Sequence, residues 1–169
     1  LLPFGDGTVV GGVVEALRGG GAETIVLVTA PGHSDLASWG REHGLTVTTN
    51  PQPERGMLSS IRCGVELLPG STPLLVSPGD LPALSAPTVM AVAASLTAGA
   101  RLAVPVHRDK RGHPLGIAAS LVPEILSLDL SVGLRQLLDR HPVTEIPVSD
   151  PGCVRDVDTP EQYETLRGG

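Results

Sequence analysis

Aromatic residues are almost missing from this chain. Phe4, Trp39 and Tyr163 are all that its 169 residues contain. Without more of them no stacking platform for single-stranded nucleic acid can be built, and the core has to come from Leu, Val, Ile and Ala. Positive charge is short as well. Twelve Lys and Arg stand against 18 Asp and Glu, for a net charge of −6 and a pI near 5.2, which argues against a nucleic-acid-binding surface. Only two cysteines occur, Cys63 and Cys153. They show no metal-ligand spacing, and a reduced cytoplasmic setting suits them best. No apolar run approaches the roughly 18 residues of a membrane helix, and no signal peptide is visible. Three motifs are missing too: Gly-x-Gly-x-x-Gly after a strand, Gly-Lys-Ser/Thr and Gly-x-Ser-x-Gly. Their absence argues against a dinucleotide dehydrogenase, an ATPase and a serine hydrolase.

The chain is instead an alternation of short β-forming runs and amphipathic helices. Val9 to Arg18 places Val9, Val10, Val13, Val14 and Leu17 on one helical face, and Gly19-Gly20-Gly21 stops it. Thr24 to Thr29 reads as a buried strand. Ser34 caps a helix to about His43, and Leu45 to Thr49 is the next strand. That order is a βαβ unit. A polar loop with two prolines leads to a helix from Met57, then to the apolar run Leu74-Leu75-Val76. Ser85 caps a further helix, and Arg101 to Val106 is a strand. The charged stretch 107–114 reads as a hairpin-like loop, and Leu115 to Ala118 returns as a strand. Helices come next around 122–126 and 133–140, then a strand over Val143 to Val148. Thr159-Pro160-Glu161-Gln162 carries the signature of a last capped helix. With no repeat and no linker, the expectation is one α/β domain over residues 1–169: a Rossmann-like three-layer sandwich with a mostly parallel sheet.

The chain is organised around Leu74-Leu75-Val76-Ser77-Pro78-Gly79-Asp80-Leu81-Pro82. An apolar strand runs into a turn that presents one carboxylate. In open α/β sheets ligands collect at the strands' carboxyl ends, and Mg²⁺ takes oxygen ligands, often only one or two of them from protein. Asp80 therefore reads as a cation ligand, or as a residue that closes a turn or caps the next helix. Asp156 and Asp158 lie just before the last helix. Two carboxylates from distant segments could share one cation, the requirement of phosphoryl transfer. Asp158 could equally add charge at a helix N-terminus, and Asp156 could face solvent. His113, before a proline, reads as a loop histidine or as a contact to a substrate. Arg108, Lys110 and Arg111 read as a solvated charge run or as an attractor for an anionic substrate. Ser59 and Ser60 lie at a helix start, where hydroxyls and N–H groups bind an anion or simply cap. Asn50 fits an Asx-turn before Pro51.

Four segments together resemble the MobA-like nucleotidyltransferases, and within them the molybdenum cofactor cytidylyltransferase branch. They are Asn50-Pro51 with Gly56-Met57-Leu58-Ser59-Ser60; Pro78-Gly79-Asp80-Leu81-Pro82; Arg111-Gly112-His113-Pro114; and Asp156-Val157-Asp158-Thr159-Pro160-Glu161. The resemblance implies that Asp80 and Asp158 hold Mg²⁺ and serve catalysis. It implies that Asn50, Gly56, Met57 and Ser59, with Asp80, line the nucleotide pocket, and that Gly112, His113 and Pro114 form the acceptor side. The implied reaction transfers CMP from CTP to the phosphate of molybdopterin and releases pyrophosphate. GTP is the alternative nucleotide, a molybdoenzyme would receive the product, and a non-catalytic module that holds the cofactor is the alternative of another class. The family opens with a strand and a Gly-rich loop bearing Arg and Lys. Leu1-Leu2-Pro3-Phe4-Gly5 resembles the segment just after that loop, so the expectation is a domain without its first strand and with an exposed sheet edge or apolar groove.

Overall fold

The structure is a computed structural model, and it describes residues 1–5, 7–70, 72–157 and 163. The strands β1 (Pro3–Phe4) and β2 (Gly7–Thr8) form a short antiparallel hairpin. The helix α1 (Val9–Gly19) starts at Thr8, whose Oγ1 accepts the Gly11 N–H at 3.1 Å. Val9, Val13, Val14 and Ala16 are its buried face; of the predicted face, Val10 and Leu17 are only partly buried. Gly21, at φ +95°, lets the chain turn away.

Next come β3 (Val26–Thr29), α2 (Ser34–Glu42) and β4 (Thr46–Thr49). β3 and β4 pair in parallel, from Val26 opposite Thr46 to Thr29 opposite Thr49. Two details differ from expectation. Ser34 does not cap α2: His33 holds that position and makes no capping bond. β3 is half-buried rather than buried, with only Thr29 enclosed. Leu27 and Val47 pack on Gly40 of α2, where a Cβ would lie 2.7 and 2.9 Å from them. The single tryptophan, Trp39 of α2, stacks on His43 with ring centroids 4.3 Å apart and lies over Gly11 of α1.

α3 (Met57–Val65) leads to β5 (Leu74–Val76), α4 (Ala86–Thr97), β6 (Leu102–His107), β7 (Lys110–Arg111) and β8 (Leu115–Ile117). α5 (Val122–Ser127), α6 (Arg135–Arg140) and β9 (Val143–Pro147) complete the order. The last helix expected from Thr159 falls outside the described residues, apart from Tyr163, whose hydroxyl donates to the Pro3 carbonyl.

The sheet is mixed, which corrects the expectation of a mostly parallel one. β6 pairs in parallel with β9 but antiparallel with β7 and β8, and β8 also pairs antiparallel with β5. The cause is the turn at Arg108 and Asp109, which both take positive φ, 47° and 64°. Two consecutive residues of that kind close a tight antiparallel hairpin. The chain then comes back, and β8 inserts between β5 and β6. β5, β6 and β9 still run the same way, so the segments after them emerge at one end of the sheet.

Helices cover both faces. Leu58, Ile61 and Val65 of α3 join Leu74, Leu102, Ile117, Ile125 and Leu137 in the larger core. Val13 and Ala16 of α1 join Leu81, Leu84, Val89 and Cys153 on the other side. Leu74 and Leu75 belong to different clusters, because successive strand residues point to opposite faces. Leu102, Ile117, Ile125 and Leu137 are fully buried, each contributing about 1.5–3 kcal/mol. Arg62 of α3 closes the end of α5, with Nε donating to the Ile125 carbonyl at 3.1 Å and a second nitrogen to that of Leu128.

β3 and β4 stand as a sheet of their own. α3 bridges the two sheets, since Gly64 lies against Val26 and Val28 of β3 while Leu58 and Ile61 pack with Leu74. Among the described residues, β3 and β5 each pair with a single strand, on one edge. No described helix is long and apolar enough to cross a membrane.

Candidate active site

Asp80 sits where the apolar run predicts, in the turn after β5. It is held there by contacts on both sides. Leu81 and Leu84 are buried behind it. The Pro82 carbonyl lies on Gly12 of α1, where a Cβ would come within 2.4 Å of it. The Ala83 carbonyl lies on Gly152, where a Cβ would come within 1.9 Å. Neither backbone contact leaves room for a side chain. The Asp80 carbonyl accepts the Val157 N–H at 2.9 Å. The late acidic segment is therefore joined to the central turn by backbone. Asp158 itself, the second metal ligand that the resemblance implies, lies outside the described residues.

His113 reaches the same place from the other side. Gly112 donates to the Pro105 carbonyl and His113 to that of Cys153, both at 2.8 Å, and the His113–Pro114 peptide is cis. Burial pushes the imidazole below its ordinary 6.5. The Val76 carbonyl and the charges of Asp80 and Asp156 pull the other way without reversing it. Nδ1 of His113 is buried and, among the described residues, has no hydrogen-bond partner. Asp156 is exposed, as expected of a solvent-facing residue, yet its charge reaches His113. The structure thus gathers Asp80, His113 and Asp156 at the sheet end from which β5, β6 and β9 deliver their loops.

The other predicted group stands after β4. Asn50 is 1% exposed. Its amide donates to Ser59 Oγ at 2.7 Å and Ser60 Oγ at 3.0 Å, and its carbonyl oxygen accepts from the Gln52 N–H at 2.9 Å. Ser59 in turn donates to the Gly56 carbonyl at 2.7 Å. The Asx-turn is real, and these side chains fold the loop. Gly56 holds φ +86° at the start of α3, and Met57 is exposed. The Asn50 N–H also donates to the Thr29 carbonyl at 2.8 Å. Beside this, at the ends of β3 and β4, lies a cavity of about 380 Å³ lined by Thr29, Pro31, His33, Ser34, Arg41 and Thr49.

Sequence reasoning passes over Asp150 and Gly152, and reads Cys153 only as a cysteine without metal-ligand spacing. Asp-Pro-Gly is a turn signature, the one signal there to find. Asp150 accepts from Ser85 N and Oγ, Thr88 Oγ1 and Gly152 N at 2.7–3.0 Å. Burial opposes its charge, but these bonds outweigh that and hold the carboxyl below the usual range. Burial, and then the Asp150 charge, push the Cys153 thiol up to about 11.

The model of the MobA-like NTP transferase domain matches residues 1–145. The chain belongs to that family. It is a nucleotidyltransferase. Of the curated proteins, the molybdenum cofactor cytidylyltransferase of Escherichia coli K12 is 23% identical over 169 residues, covering 99% of this chain and 85% of the relative. The solved structure of Rv0371c from Mycobacterium tuberculosis H37Rv, in complex with manganese, is 26% identical with a TM-score of 0.81, covering 100% of this chain and 91% of that one. A nucleotidyl transferase from Methanothermobacter shares the fold at 21% identity and a TM-score of 0.81, covering 99% of this chain and 82% of that one.

A divalent cation suits the donor set of the transferase. Asp80 offers carboxylate oxygens in a fixed turn, and Mg²⁺ or Mn²⁺ needs few protein ligands when phosphate oxygens and water supply the rest. Among the described residues no group of three or more His, Cys, Asp and Glu forms a cage.

Proposed function

We propose that this chain transfers the CMP moiety of CTP to the phosphate of molybdopterin. The observation that carries the reading is the meeting of Asp80, His113 and the 156–157 segment at one end of the sheet, joined by the Val157–Asp80 bond. Asp80 and Asp158 hold a divalent cation, Mg²⁺ in the cell, which offsets charge on the phosphates. The cavity after β3 and β4, lined by Thr29, Arg41 and Thr49, takes the nucleotide together with Asn50, Gly56, Met57 and Ser59 of the following loop. Gly112, His113 and Pro114 receive the acceptor. An acceptor phosphate oxygen attacks the α-phosphorus, the bond to the β-phosphate oxygen breaks, and pyrophosphate leaves in line. The enzyme's part is positioning: a turn pinned on Gly12 and Gly152 cannot drift, and oriented reactants react faster by large factors. The protein works in the cytoplasm as one domain and passes its product to a molybdoenzyme.

The test is pyrophosphate release from CTP and from GTP, with molybdopterin and Mg²⁺ or Mn²⁺. Release with CTP at a kcat/KM at least tenfold above that with GTP supports the reading. A preference for GTP replaces the nucleotide, and pterin binding without release from either overturns the transfer.

A further inference from the structure

From the hydrogen bonds and packing around Asp150 we infer that it is the positioning residue of this active site, a single carboxylate that sets the Asp80 turn against the His113 loop. The inference rests on the placement of the reaction at Asp80 and His113. Asp150 lies in the segment after β9, away from every motif that carries the family resemblance. One oxygen, Oδ2, takes three donors: Ser85 N at 3.0 Å, Ser85 Oγ at 2.7 Å and Thr88 Oγ1 at 2.8 Å. These belong to the start of α4, where the chain leaves the Asp80 turn. The other oxygen takes Gly152 N at 2.8 Å. Its backbone carbonyl accepts from Cys153 Sγ at 3.1 Å.

Those bonds fix the 150–153 turn, and that turn touches both halves of the site. Gly152 lies against the Ala83 carbonyl, three residues after Asp80. The Cys153 carbonyl accepts the His113 N–H, and Gly112 packs on the same carbonyl, where a Cβ would come within 2.4 Å of it. The carboxylate thus ties the start of α4 to a turn whose Gly152 and Cys153 pack on both loops. Two close glycine contacts make the connection stiff, since neither loop can shift without a backbone collision. Asp150 does not touch the reacting groups; it acts through the loops that carry them.

The experiment uses the whole chain with three variants: Asp150→Asn, Asp150→Ala and Ser85→Ala. Asp129→Ala serves as control, because Asp129 makes the same kind of carboxylate bonds to Ser131 in an exposed turn. Two readouts are taken: pyrophosphate release with separate kcat and KM values, and hydrogen exchange of the His113 and Val157 amides. Asp150→Ala is expected to lower kcat at least tenfold with the nucleotide KM within twofold, and to speed both amides tenfold or more. Asp150→Asn, which keeps the shape and part of the acceptor capacity, recovers part of each loss, and Ser85→Ala gives a smaller loss of the same pattern. Asp129→Ala leaves both readouts unchanged. Unchanged kcat and unchanged exchange at His113 and Val157 in folded Asp150→Asn would overturn the inference. If the wild type releases no pyrophosphate, the proposed reaction fails, and the exchange arm still decides whether Asp150 couples the two loops.

Discussion

The Val157 N–H donates to the Asp80 carbonyl at 2.9 Å, a bond between residues 77 positions apart. This bond joins the turn after β5 to the acidic segment after β9 through backbone atoms, so it does not itself depend on the Asp80 side chain. Asp80→Asn keeps the shape and removes the charge. Transfer should fall by about 10²–10³-fold, the loss expected when preorganised charge stabilisation is removed. Circular dichroism and the unfolding midpoint should stay near wild type. A matching fall in stability would mark Asp80 as a turn former instead.

His113 should make stability depend on pH. Its pKa in the folded chain is lowered from 6.5, with burial the leading cause, so the unfolded chain binds the proton more readily. The stability it contributes is complete above pH 6.5, and it is lost as pH falls from there through the folded-state value. Urea titrations from about pH 8 down to 5 should show this fall, and His113→Gln should flatten it.

Gly152→Ala should destabilise by about 1–3 kcal/mol or more, as overpacking does, because the new Cβ would meet the Ala83 carbonyl at 1.9 Å. Gly70→Ala is the contrast: a Cβ there meets nothing within 4 Å and the backbone does not need positive φ. That change should be neutral or stabilising by about 0.4–1 kcal/mol. Chemical denaturation of the pair checks both.

The two cysteines should separate cleanly under alkylation. The Cys153 thiol is buried and raised to about 11, so little thiolate exists at pH 8. Cys63 is only partly buried. Iodoacetamide should label Cys63 in the native protein and Cys153 only after unfolding, read by mass spectrometry.

Much of this is legible in the sequence. Leu74-Leu75-Val76 announces a strand, and the Gly-Asp turn after it announces the carboxylate of the candidate site. Val9 to Gly21 announces an amphipathic helix with a glycine stop, though not its Thr8 cap. The hairpin-like loop at 107–114 and the returning strand are legible too, but not that β8 inserts between β5 and β6 and makes the sheet mixed, because strand order is set by packing far along the chain. The Asp150 bonds span more than 60 positions, and nothing in the local pattern of Asp-Pro-Gly says which helix it will hold. Ser34 reads as a cap, yet α2 already includes it as its first residue. A capping hydroxyl would have to stand one position earlier, where the chain has His33.

β3 pairs on one edge only among the described residues, whereas β6 has strands on both sides. Its outward amides should exchange with solvent orders of magnitude faster than those of β6, and at high concentration the chain should associate through such edges. Mass-resolved hydrogen exchange and light scattering measure the two effects. Slow exchange along the whole of β3 in a dilute monomer would contradict both.

Trp39 packs at the seam of α1 and α2, on His43 and over Gly11. Being the sole indole, it makes the whole emission spectrum a local signal from that seam. The same helix lends Ala37, Ser38 and Arg41 to the wall of the cavity after β3 and β4. Filling that cavity would thus be visible as a change of colour or brightness without any label, while events confined to the far loops would pass in the dark.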